Sequence, residues 1–197
     1  AVGKDISYTA LRIEGIPELL ILASDRVQSV FKDLKIEIVH DDIKGSDLVG
    51  LSYEPLYPFL IEDLPKSEED KLEKAFKVYS ANFVTTVDGT GIVHTAVMYG
   101  TDDFVLGTKV GLPKYHLVKE DGTFKEGTGF LTGRYVKDKN EVGKPTLDVD
   151  IIEDLKKRNL FFTQENYKHS YPHCWRCKTP LIYYARDSWY IAMSRLR

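Results

Sequence analysis

Short strand-like and short helix-like stretches follow one another at irregular intervals along these 197 residues, and that irregularity limits the fold more than any other feature. Residues 6–14 and 19–22 read as strands, and residues 35–40 alternate apolar and polar side chains, as a half-buried strand does. Gly15, Ile16 and Pro17 read as the turn between the first two. Residues 77–86, 91–97 and 114–118 also read as strands, the last leaving through a turn at Glu120, Asp121 and Gly122. Helix signals are equally short. Ser24 is placed to cap a helix with Val27, Val30 and Phe31 on one face. Ser67 and Asp70 form a capping-box pattern before another. Thr101 stands at a third cap, with Asp102 and Asp103 in its first turn and Gly111 as its stop. A fourth begins near Asp148 and buries Ile151, Ile152 and Leu155. Residues 50–60, interrupted by prolines, read as an irregular crossing. Regular strand–helix alternation is missing, which disfavours a doubly wound sheet. The expected architecture is a mixed α/β (α+β) module with a curled, barrel-like mixed sheet and flanking short helices.

Composition narrows the function classes. At 43% hydrophobic and 29% charged, the chain has the make-up of a folded protein rather than a disordered one. A net charge of −3 excludes a broad electrostatic grip on nucleic acid, so any such grip is local or lies elsewhere. No apolar run approaches the ~20 residues of a membrane-spanning helix, and no signal-peptide pattern is visible. Cys174 and Cys177 are too close in sequence for a loop-closing disulfide framework, which points to a reducing, cytoplasmic setting. Both ends look cut, so a fragment of a larger protein is expected. The aromatic texture beyond Gln164 puts a boundary there, with one unit over 1–165 and a second over 166–197.

The densest chemistry lies in residues 88–104, DGTGIVHTAVMYGTDDF. This stretch holds neither serine nor cysteine, so it offers no ordinary protein nucleophile. Gly89 and Gly91 flank Thr90, but the spacing is not that of a dinucleotide loop and no helix follows directly. His94 sits in an expected strand, and Asp102 and Asp103 open an expected helix, so His94 and one carboxylate can meet at a pocket mouth. Helix residues one apart point ~100° apart, which leaves the other aspartate to cap the helix or face water. Taken alone, the pair also reads as an ordinary helix cap, and His94 as an ordinary core or edge residue.

The stretch FVTTVDGTGIVHTAVMYGTDDFVLGTKVGLP closely resembles the editing domain of isoleucyl-tRNA synthetases, with the pattern G-T-G-I-V-H-x-A-P-x-x-G-x-D-D, a helix and then G-L-P. The resemblance continues in GLSYEPLYPF upstream and HSYPHCWRCKTPLIYYARDSWYI downstream, in collinear order over most of the chain. It implies hydrolysis of a mischarged tRNA, an ester already activated towards water. Asp103 matches the family carboxylate that holds the substrate's α-ammonium. His94 matches the residue that limits side-chain size, with a catalytic role as base ranked below that steric one. Gly89, Thr90, Gly91, Thr95, Tyr99 and Asp102 are the implied substrate-binding residues.

Two departures stand out. Val97 replaces the usual proline, and the threonine-rich strand that lines the family pocket would lie upstream of Ala1, outside these residues. The isolated chain is therefore expected to hydrolyse weakly or not at all. The implied partners are tRNA(Ile) charged with valine and the catalytic core of the same chain, in a monomer with no membrane contact. Editing needs no cofactor; ATP and magnesium belong to the synthetic domain, whose signatures are absent from these residues. A free-standing deacylase and a non-catalytic tRNA-docking module of the same fold are the alternative readings.

Cys174 and Cys177 form one C-x-x-C pair, with His169 and His173 nearby. A structural zinc needs four ligands. The pair reads as two reduced structural cysteines, as part of a crowded site with both histidines, or as one half of a zinc site split across the full-length enzyme.

Overall fold

The structure is a computed structural model that describes residues 1–137, 146–165 and 170–196. In chain order its main elements are β1 (Ser7–Ile13), β2 (Ile16–Ala23), α1 (Val27–Val30), β3 (Ile36–Lys44), α2 (Gly45–Leu48), α3 (Phe59–Asp63), α4 (Lys66–Glu69), α5 (Thr101–Val110) and α6 (Leu147–Lys157). They fall into two compact units. The first takes Ala1–Leu56, Ser67–Val97 and Thr101–Pro113; the second takes Tyr57–Lys66, Met98–Gly100 and Lys114–Arg197.

The first unit is built on a three-stranded sheet in the order β2-β1-β3, antiparallel throughout. Central β1 is covered on both faces, so Tyr8, Ala10 and Leu11 are all buried despite pointing to alternate sides. Leu11, Ile13, Leu22, Val27 and Phe31 form one core cluster. Val2, Tyr8, Ala23 and Leu48 form a second, and Ala81, Val84 and Leu106 a third. Ile13 pairs with Ile16, so the β1–β2 turn is only two residues long. Gly15 supplies the φ of +86° that such a tight hairpin needs. Ile16 and Pro17 thus lie inside β2 rather than in the turn. Proline is tolerated because β2 is an edge strand.

Several expected elements are shorter or absent. The described sheet is antiparallel throughout and is not a closed barrel, contrary to the curled, barrel-like mixed sheet expected from the sequence. Residues 77–86 and 91–97 make only isolated bridges, Val2 to Ser80 and Val2 to Ile92, with Ser52 to Lys77. Their common partner is the segment Ala1–Gly3, whose amides and carbonyls bond Tyr79, Ala81 and Val93. Three residues cannot sustain a ladder on either side. Residues 114–118 likewise contribute one bridge, Val118 to Phe124. The expected helix from Ser67 splits into α4 and a 3-10 turn at Leu72–Lys74. So few turns with so little apolar surface cannot repay helix nucleation. Ser24 does not cap α1; its hydroxyl bonds Ser7 and Thr9 instead. α5 and α6 match the expected helices closely.

In the second unit, Tyr57 stacks on Phe59 at 5.3 Å and donates to Asp154 of α6 at 3.0 Å. Arg158 also pairs with Asp154, at 2.7 Å.

The buried Tyr8 hydroxyl accepts from the Gly3 amide (2.9 Å) and donates to the Gly91 carbonyl (2.8 Å). Tyr8→Phe leaves both groups without that partner. It should cost about 1–3 kcal/mol, read as a lower denaturation midpoint at unchanged slope in urea unfolding.

Candidate functional site

The loop of residues 87–91 is anchored through its carbonyls. Arg26 donates from Nε to the Gly89 carbonyl (2.8 Å) and from Nη1 to that of Val87 (3.2 Å). The Ala23 amide donates to the Thr90 carbonyl (2.8 Å), and Tyr8 holds that of Gly91. Gly91 is buried against Ala23, where an added Cβ would sit 2.4 Å from the Ala23 Cβ, and its φ is +71°. Space and dihedral both require glycine there. Gly89 and Thr90 are exposed.

His94 follows in extended but unladdered backbone, not in the expected strand. Alternation survives the loss of the ladder: Val93, Thr95 and Val97 are half-buried while His94 and Ala96 are exposed. Val97 explains its own side chain, since it packs against Gly107 of α5, where a Cβ would come within 2.6 Å of it. The Thr95 hydroxyl is buried and bonds no partner among the described residues.

Asp102 and Asp103 open α5; Asp102 is exposed and Asp103 half-buried. Burial pushes the Asp103 carboxyl above the usual carboxylate range. A hydrogen bond from the Ala96 amide opposes this, Asp102 reinforces it, and the Ala1 α-ammonium and His94 oppose it. The Ala1 ammonium is itself lowered by burial and raised by Asp103. The structure thus brings His94, Ala96 and Asp103 into one electrostatic neighbourhood. In a longer chain residue 1 carries an amide in place of that ammonium.

Tyr99 belongs to the second unit. Its hydroxyl accepts the Val118 amide (3.0 Å), and its ring meets His116 and Tyr184 edge-on. His116 stacks on Tyr184 at 3.9 Å and donates from Nε2 to the Ala185 carbonyl (2.8 Å). Burial holds its pKa below the ordinary histidine value.

Cys174 and Cys177 lie in a tight turn closed by Cys174 N–H to Thr179 O and Lys178 N–H to Cys174 O, both at 2.8–2.9 Å. The Thr179 hydroxyl sits 2.9 Å from the Cys177 sulfur and leads the effects that draw this thiol down to about 7. His173 donates from Nδ1 to the Tyr171 carbonyl. His169 lies outside the described residues. No group of three metal-ligating side chains occurs among the described residues, so the pair falls short of the four ligands of a structural zinc.

Arg26, Ala23 and Tyr8 were not legible as site residues. They lie more than sixty residues before the loop they anchor, and Arg26 on a helical turn reads as an ordinary surface cation. His116 carried no motif either.

No protein-family model matches the chain. It is 39% identical over 199 residues to an isoleucine–tRNA ligase of Bdellovibrio bacteriovorus, 40% over 197 to one of Clostridium tetani and 39% over 196 to one of Picrophilus torridus. Each alignment covers all of this chain but only 17% of the relative, so the chain spans about one sixth of the length of the curated relatives it matches. These likenesses define the class as an aminoacyl-tRNA synthetase. Within it, the chain belongs to the isoleucine–tRNA ligase family, as a segment of such a protein.

Carboxyl-detected NMR titration should find Asp103 with a midpoint above the ordinary aspartate value. Asp41 and Asp121, held by Thr9 and Thr123 respectively, should fall below it. The sign follows for stability: the Asp103 contribution is greatest at acid pH and is lost as pH rises through its folded midpoint. A second measurement concerns metal. Dialysed chain should hold well under one zinc; one tight equivalent, lost on changing either Cys174 or Cys177 to serine, would mean the site is complete within these residues.

Proposed function

We propose that this chain is the greater part of an editing domain, hydrolysing the ester of valine wrongly attached to tRNA(Ile). One observation carries the reading: half-buried Asp103, at the start of α5, accepts the Ala96 amide beside His94, and a carboxylate whose charge burial disfavours gains from a cationic ligand. An aminoacyl ester presents an α-ammonium next to its scissile carbonyl. Asp103 anchors it by a charge-assisted bond, and exposed His94 limits the side chain admitted. Water is the nucleophile, which suits a stretch without serine or cysteine. The first selection of isoleucine over valine rests on one methylene, worth only ~1–3 kcal/mol. A hydrolytic second selection raises that fidelity.

The same reading extends to the parent enzyme. It attaches isoleucine to tRNA(Ile) with ATP and magnesium in its synthetic domain, and works in the cytoplasm as a monomer. Residues 1–165 form the editing fold, and 166–197 lead back to the catalytic core. Cys174 and Cys177 supply half of a split zinc site there.

The test is deacylation of both charged tRNAs by variants of the full-length enzyme. Asp103→Ala removes a charged anchor, at a cost of about 2–4 kcal/mol. Editing of Val-tRNA(Ile) should then fall about thirty- to a thousandfold. Asp102→Ala should fall far less. His94→Ala should begin to hydrolyse correctly charged Ile-tRNA(Ile). Loss of both hydrolyses in His94→Ala would reassign the histidine as a base or structural post. Unchanged editing in Asp103→Ala would leave a tRNA-docking module as the better reading.

A further inference from the structure

The 87–91 loop is asymmetric in how its peptide groups are used. The carbonyls of Val87, Gly89, Thr90 and Gly91 are all bound, by Arg26, the Ala23 amide and Tyr8. The amides of Asp88, Gly89, Thr90 and Ile92 donate to no group among the described residues, while the Gly91 amide closes the turn over Gly89 and Thr90. Gly89 (φ +61°) and Gly91 (φ +71°) are both left-handed. In a trans peptide the amide lies opposite the carbonyl, so amides paired with these bound carbonyls face away from Arg26, where they suit a negatively charged oxygen. The loop ends three residues before His94, and Val93 bonds Ala1 next to Asp103.

We propose that Arg26 is a positioning residue of the hydrolytic site: by drawing the Val87 and Gly89 carbonyls inward it turns the amides of the same peptide groups, those of Asp88 and Thr90, to the opposite side, to stabilise the oxygen of the ester carbonyl as charge develops on it. This rests on the editing reading. In the step concerned, the oxygen of water bonds to the acyl carbon and the carbonyl π pair moves onto its oxygen, where the amides receive it. Collapse expels the ribose oxygen, which takes up a proton. The products are valine, tRNA with a free terminal hydroxyl and the proton released by the new carboxylate. A preorganised amide costs no rearrangement during reaction, so its loss acts on turnover rather than on binding.

The experiment uses full-length enzyme carrying this segment, as wild type, Arg26→Ala, Arg26→Lys and Asp103→Ala. Val-tRNA(Ile) deacylation is measured across substrate concentrations, with isoleucine attachment and thermal unfolding followed alongside. Arg26→Ala should lower kcat about tenfold or more, less than the ~10²–10³ seen when an oxyanion donor is deleted outright. KM should stay within about twofold, with isoleucine attachment and the melting midpoint unchanged. Arg26→Lys, which keeps the charge but not the fork that reaches two carbonyls, should fall between. Wild-type kcat in Arg26→Ala, or a rise in KM alone, overturns the proposal; the latter would mean that the amides grip a phosphate of the tRNA. If Arg26→Ala unfolds, Arg26→Lys decides, and wild-type turnover there overturns it. Asp103→Ala separates the two ideas. Full editing in that variant sinks the editing reading itself, whereas lost editing beside a wild-type Arg26→Ala sinks only the role of Arg26.

Discussion

The first unit depends on one buried hydroxyl. Tyr8 is fully inaccessible, and its phenol links the Gly3 amide to the Gly91 carbonyl. Three parts of the chain meet there: the central strand, the amino-terminal segment and the Gly-Thr-Gly loop. Segment Ala1–Gly3 then carries the connection onward, bonding Tyr79 and Ala81 on one side and Val93 on the other. Without a laddered strand in either neighbour, these few bonds and the apolar clusters beneath them hold the site residues to the sheet. A polar group this deep is costly unless satisfied, so the phenol also specifies one arrangement of the three segments.

Around Asp103, two opposing influences are balanced. Burial and the adjacent Asp102 disfavour its charge, while the Ala96 amide and His94 favour it. A carboxylate in that position gains from a cation next to it, because the partner relieves the cost of burying the charge. That is the electrostatic logic by which an ammonium-bearing ligand is selected over a neutral one. Asp102, one residue earlier, is exposed.

Much of the local structure was legible from side-chain order. β1, β3 and α6 follow from period-two and period-3.6 patterns, and α5 from its cap, its acidic first turn and its glycine stop. Residues 91–97 show the limit of that reasoning. The alternation is real and the burial follows it, yet no ladder forms. Pattern reports which side chains face inward; hydrogen bonding depends on what lies alongside, and here only Val2 does. The helix expected from Ser67 failed for a related reason, since capping chemistry marks a start but cannot supply packing for later turns.

By itself, then, the sequence determined the family, through the collinear blocks at 50–59, 83–113 and 169–191, and the candidate side chains His94, Asp102 and Asp103. Those are contiguous features, written in residue type and spacing. Tertiary structure alone decided that Asp103 is the half-buried member of its pair, that Thr95 points inward, and that Arg26, Ala23 and Tyr8 hold the Gly-Thr-Gly loop by its carbonyls. The physical reason is sequence separation. Arg26 lies 63 residues from Gly89 and Tyr8 lies 83 from Gly91, and a backbone carbonyl looks the same in every sequence until folding brings a donor to it.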